Sequence, residues 1–175
     1  DLPSEIYDRL RKIHPEINPP ADIENDLYKA LEDHTIDVMR GPKLPTVLNG
    51  KTYELLSHQL DALRSWKASG FRGIFALATG AGKTITALHG AVVVANERKK
   101  QGGKTVLIVS VPYQVLADQW CEVMQIFNID AIPCYRSSSL WVNRLENEIA
   151  NLDLLEEKSF IAIVVVNATL TGDLF

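Results

Sequence analysis

The sequence predicts an α/β fold, a parallel sheet with helices packed on both of its faces, and three observations carry that reading. Two near-continuous apolar runs, residues 104–111 and 160–166, have the length and the β-branched content of strands covered on both sides. Helix-length segments separate the strand-like runs, so successive strands run parallel and are joined by crossovers. Finally, the apolar stretch Gly73-Ile74-Phe75-Ala76-Leu77 leads into a small-residue turn, Ala78-Thr79-Gly80-Ala81-Gly82-Lys83-Thr84, and then into a long helical segment. Strand, tight turn and helix in that order are the unit from which open α/β sheets build anion sites.

Taken in order, the chain changes character near residue 45. Pro3, Pro15, Pro19, Pro20, Pro42 and Pro45 all lie at or before that point. Residues 1–45 read as a helical N-terminal arm or the end of a preceding domain, and residues 46–175 as the α/β body. Within the arm, Ser4 is placed to cap a helix over 5–13, and Asp22 a second one through about His34. Gly41-Pro42-Lys43-Leu44-Pro45 reads as a linker. Residues 47–53 form a hairpin turned at Asn49-Gly50, a dipeptide that accepts two successive positive φ angles. Ser57 opens a helix to Ser69 with Leu60, Leu63 and Trp66 as its inward stripe, and Gly70 ends it. The strand at 73–77, the turn, and a helix over 83–99 with a basic, exposed end follow. Then come the strand at 104–111, a helix over 114–127, a short strand at 130–134, a helix over 138–155 and the strand at 160–166.

The chemistry concentrates in the turn. Gly80 and Gly82 let the backbone curl until successive N–H groups point at a phosphate, assisted by the dipole of the following helix. Lys83 reaches the β- and γ-phosphates of a nucleotide, and the Thr84 hydroxyl takes Mg²⁺. Thr79, Gly80, Ala81, Gly82, Lys83 and Thr84 are therefore the candidate nucleotide-binding residues, with Lys83 the candidate catalytic one. The commonest form of the motif has Gly five residues before Gly82, where this chain has Leu77. The plainer reading is a Gly-rich turn with an incidental Lys-Thr pair, and the flanking strand and helix count against it.

Other positions carry paired readings. Gln59 lies about twenty residues upstream, and its carboxamide can both accept from and donate to an adenine edge; the alternative is a solvent-facing helix glutamine. His58 reads as a capping or packing residue. Pro112, Tyr113 and Gln114 stand where a strand passes into a helix N-terminus, a place that suits a nucleic-acid phosphate or is simply a turn. Trp120 reads as helix packing. Arg136-Ser137-Ser138-Ser139 is either a phosphate grip or a capping run, and Glu146, Glu148, Glu156 and Glu157 a solvated helix face.

Bulk properties bound the answer. The 175 residues suffice for one domain with a sizeable core, and 46% hydrophobic with 23% charged residues is ordinary for a globular protein. A net charge of −4 argues against a strongly basic nucleic-acid binder while allowing a local basic groove. No apolar run reaches the ~20 residues of a membrane span. Cys121 and Cys134 are too few and too far apart for a zinc site and read as reduced residues of a cytoplasmic protein.

Four blocks together resemble a known family. Leu55-Leu56-Ser57-His58-Gln59-Leu60-Asp61-Ala62-Leu63 is similar to the glutamine block upstream of the phosphate loop in superfamily-two helicases. The loop at 78–84 resembles their motif I, which often lacks the leading Gly. Residues 106–120, with the Pro112 turn and Gln119-Trp120, resemble motif Ia, and Ile163-Val164-Val165-Val166-Asn167-Ala168-Thr169 resembles motif Ic. Arg72-Gly73-Ile74-Phe75 running into the loop is closest to the helicase-like subunits of restriction and phage-defence systems. The resemblance covers residues 46–175 and implies a first RecA-like lobe, incomplete at its C-terminal end. It also implies ATP and Mg as cofactors, nucleic acid (DNA by preference) as a partner, and further domains or subunits of a larger motor. The acidic pair and the arginine finger of such motors do not occur in these residues, so the 175-residue chain is expected to bind nucleotide without hydrolysing it. The alternative is a P-loop NTPase that drives conformational change without nucleic acid.

Overall fold

The structure is a computed structural model and describes residues 41–170. The helices expected over 5–13 and 22–34 lie outside the described residues. Described are a hairpin of β1 (Val47–Leu48) and β2 (Lys51–Thr52), then α1 (Ser57–Ala68), α2 (Lys83–Lys100), β3 (Thr105–Val111) and α3 (Gln114–Ile126). β4 (Ile132–Cys134), α4 (Ser138–Leu154), β5 (Phe160–Val166) and a short α5 (Asn167–Leu170) complete the order. The hairpin pairs Val47 with Thr52 and Leu48 with Lys51, and its turn residues Asn49 and Gly50 have φ of 51° and 74°, as the dipeptide requires.

β5 is the middle strand of a parallel three-stranded sheet in the order β3-β5-β4. Thr105 to Val111 align with Phe160 to Val166, and Ile132 to Cys134 with Ile163 to Val165. Alternation along β5 then sends side chains into two cores. Ala162 and Val164 meet Leu88 and Val92 of α2 and Ala117 and Met124 of α3, with Phe127 beyond the helix end. Ile163 and Val165 meet Ile132, Cys134 and Trp141 on the α4 side. Helices thus cover β5 on both faces.

Three expectations need correction. The run in β3 is not covered on both sides: Leu107 and Val109 pack against the first core, whereas Val106 and Ile108 are 48% and 54% exposed. The reason is the placement of α4, which packs over β4 and β5 and leaves the β3 end of that face open. Residues 73–77 are not a strand among the described residues, and Ala76 N–H closes onto Ile74 O at 3.1 Å in a tight turn within them. A strand is defined by a hydrogen-bonded neighbour, and the sheet consists of β3, β5 and β4 alone, with this segment paired to neither of its edges. Ile74 is consequently 93% exposed, and a groove of about 520 Å³ separates this segment from α1. Thirdly, Leu60 is exposed at 39%, so the inward stripe of α1 is Gln59, Leu63 and Trp66.

That shifted stripe sets the position of α1 over α2. Leu63 and Trp66 lie against Gly90, where an added Cβ would fall 2.9 Å from Leu63 Cδ2 and 3.1 Å from Trp66 Cζ3. The two helices approach this closely because position 90 has no side chain. On the far side of the first core, Asn128 (φ 55°) ends α3 with Asn128 N–H to Gln125 O and Ile129 N–H to Met124 O, both 3.0 Å. The segment expected as a linker is fastened to this helix end. Lys43 N–H donates to Phe127 O at 2.8 Å, and Asn128 Nδ2 donates to Gly41 O at 2.9 Å.

Candidate nucleotide-binding site

The turn between residue 77 and α2 has the backbone of an anion cradle. Gly80 and Gly82 adopt φ of 81° and 78°, and the Ala81 N–H closes back onto Ala78 O at 3.1 Å. Gly82 is the N-cap of α2. The first helical bond runs from Thr86 N–H to Gly82 O at 2.9 Å, and the buried Thr86 hydroxyl donates to the same oxygen at 2.9 Å. The N–H groups of Gly82, Lys83, Thr84 and Ile85 have no acceptor among the described residues. Such orphan donors belong to every helix start; gathered beyond two left-handed glycines at the positive end of the dipole, they favour an anion.

The side chains around the cradle are arranged differently from one another. Lys83 Nζ donates to Leu77 O and Ala78 O, each at 3.0 Å, so the ammonium lies back over the carbonyls that lead into the loop. Thr79 and Gly80 are exposed, Ala81 and Thr84 half-buried, and the Thr84 hydroxyl has no partner among the described residues. Gln59 is 6% exposed and faces the loop. Its Oε1 accepts from Leu56 N–H at 2.9 Å, and its Nε2 donates to Ala81 O at 3.1 Å. An added Cβ on Gly82 would lie 2.4 Å from Gln59 Nε2. His58, expected to cap or pack, donates from Nε2 to the same Ala81 oxygen at 3.1 Å. No signal in the sequence marks that contact, because it joins residues 23 positions apart.

The second candidate cluster sits at the carboxyl end of β3. Pro112 and Tyr113 are exposed, Tyr113 at 70%, and Tyr113 is the N-cap of α3. The Gln114 carboxamide donates to Tyr135 O at 2.9 Å, so part of its hydrogen-bonding capacity is spent within the fold. Close by, Ser110 Oγ donates to Asn167 Oδ1 at 2.7 Å, tying the ends of β3 and β5. Ligands of open α/β sheets collect at this edge.

Below it lies a structural network. Tyr135 OH and Arg136 donate to Asp118 Oδ1 at 2.7 and 3.1 Å, and both hold the Asp118 carboxyl below its ordinary pKa. Burial, then the Asp118 bond, pushes the Tyr135 phenol well above its usual value. Arg136 is thus engaged by a carboxylate, and Ser137 is the N-cap residue of α4 with its hydroxyl bonded to that of Ser139 at 2.9 Å. Cys121 Sγ stands 3.8 Å from Tyr135 OH, and burial pushes the Cys134 thiol up to about 11. Trp120 packs against the first core, Glu148 pairs with Lys158, and Glu146, Glu156 and Glu157 are exposed. Among the described residues no three His, Cys, Asp or Glu side chains are grouped to hold a metal ion, and no helix is long and apolar enough to cross a membrane.

The family model for the type III restriction enzyme res subunit matches residues 52–170, a span that holds Gln59, the loop and the β3 turn. The chain belongs to this family. No curated protein and no solved structure matches it. The res-subunit family fixes the fold as RecA-like α/β and the domain type as the helicase-like ATPase of restriction systems.

Proposed function

We propose that the chain is the ATP-binding part of a nucleic-acid-dependent helicase or translocase that works on DNA in the cytoplasm, joined to other domains or subunits of a larger motor. The observation that carries this reading is the set of unpaired N–H groups over Gly82–Ile85 beside Lys83. These donors, with Thr79, Gly80 and Ala81 shaping the turn, would hold the phosphates. Lys83 would leave the Leu77 and Ala78 carbonyls for the β- and γ-phosphates. Thr84 would hold Mg²⁺, which neutralises phosphate charge when bound. Gln59 retains one N–H on Nε2 and one lone pair on Oε1, a donor and an acceptor that match an adenine edge without surrendering the tie to Ala81. Pro112, Tyr113 and Gln114 would meet the nucleic-acid backbone.

Calorimetric titration with ADP and Mg²⁺ tests the site. Lys83→Ala is expected to weaken binding at least roughly tenfold, the value of a charge-assisted bond to phosphate; unchanged affinity would refute the reading. Adenine choice is tested with GDP, which is expected to bind more weakly than ADP by about 1–3 kcal/mol, a margin that collapses in Gln59→Leu. The partial engagement of Gln114 by Tyr135 favours a second reading, an NTPase that drives conformational change without nucleic acid. Failure of the chain to bind either duplex or single-stranded DNA would select that alternative, whereas DNA binding that Tyr113→Ala weakens would support the first reading.

A further inference from the structure

We infer that His58 is a positioning residue for the phosphate loop, acting together with Gln59 through the carbonyl oxygen of Ala81. The inference rests on the phosphate-loop reading above and adds to it a residue that touches no nucleotide. Consecutive side chains on a helix diverge by about 100°. Those of His58 and Gln59 nonetheless end on one oxygen, each at 3.1 Å. A carbonyl only accepts, so His58 carries its proton on Nε2 in this contact. Two donors on the Ala81 oxygen fix the plane of the Ala81–Gly82 peptide. That peptide is planar and trans, so the Gly82 N–H points away from α1, opposite to the held carbonyl. This N–H is one of the donors without an acceptor among the described residues. α1 therefore aims an anion-binding group by holding the other end of its peptide. Gln59 alone leaves that peptide one tether; His58 supplies the second. The close seat of Gln59 under Gly82 leaves the loop little room to turn once both are made.

The experiment uses the 175-residue chain and inorganic tripolyphosphate, a probe with no base, so that adenine recognition does not enter. Binding constants and melting temperatures are compared for the unmodified chain, His58→Leu, His58→Asn, His58→Gln and Lys83→Ala. His58 is exposed, and neither Leu nor Asn leaves a cavity. His58→Leu and His58→Asn are expected to weaken tripolyphosphate roughly three- to tenfold, the net value of one hydrogen bond, at an unchanged melting temperature. His58→Gln, whose amide nitrogen reaches as far as Nε2, is expected to restore affinity. Equal affinity of the unmodified chain, His58→Leu and His58→Asn overturns the inference while leaving the phosphate loop intact. Failure of the unmodified chain to bind, or binding that ignores Lys83→Ala, overturns the phosphate loop itself and the inference with it.

Discussion

Gly82 meets separate demands at one position. It takes a left-handed φ of 78°, begins α2, and lies under the Gln59 amide with no space for a methyl group. Gly82→Ala is therefore expected to cost about 1–2 kcal/mol from backbone conformation alone, with a further cost from moving Gln59. Urea denaturation would measure the first effect, and titration with ADP would show lost affinity as the Ala81 tether breaks. A variant as stable and as tightly binding as the parent would contradict this account of the loop. The glycines and Lys83 were legible in the sequence because their spacing follows from the turn they must make. The partners of Ala81 were not, since a helix glutamine and histidine look alike whether they face water or a loop from a distant segment.

Among the elements, α2 does the most joining, since it starts at the loop, crosses both α1 and the sheet, and carries His89 to the hairpin. Tyr53 OH and His89 Nδ1 are 2.9 Å apart, and the Tyr53 ring meets Phe127 edge-on at 6.0 Å. Burial lowers the His89 pKa from its ordinary 6.5 and raises that of Tyr53 to about 12. Below pH ~6.5 the unfolded chain then binds a proton that folded His89 resists. The contribution is complete above the unfolded value and is lost as pH falls through the lowered one. Melting temperature is expected to drop as pH falls below His89's ordinary 6.5, with a shallower drop in His89→Gln; identical slopes would exclude His89 as a cause. The sequence foretold the hairpin, α2 and β5 well, because Asn-Gly, helical period and a β-branched run are local signals. It misjudged residues 73–77 and the open face of β3, because pairing and coverage depend on where β4, β5 and α4 come to lie.

For the molecule as a whole, the 175-residue chain is expected to bind nucleotide without turning it over. Phosphoryl transfer needs a group that positions water and charges that stabilise the transition state. Of the acids, Asp118 accepts from Tyr135 and Arg136, which hold its carboxyl below the ordinary pKa and occupy one of its oxygens. A phosphate-release assay, with and without DNA, should stay at background. Lys83-dependent turnover near about 1 s⁻¹, within the ordinary enzyme range, would show that an acid in these residues has taken the catalytic part. The RecA-like class was legible at this scale because it follows from the order of elements, which the res-subunit match over 52–170 upholds.

The packing of Trp66 gives the site a built-in optical probe. Its indole lies 5.0 Å from the Phe71 ring and 5.9 Å from that of Phe75, two residues before the Leu77 carbonyl that Lys83 holds. Phosphate that draws Lys83 away is expected to loosen the chain at Leu77 and to change the indole's surroundings with it. Trp120 and Trp141 lie in the sheet cores, away from this segment. Replacing both with phenylalanine leaves Trp66 as the one tryptophan, and its emission is expected to shift on titration with tripolyphosphate; an unchanged spectrum would mean that Lys83 and this segment stay put.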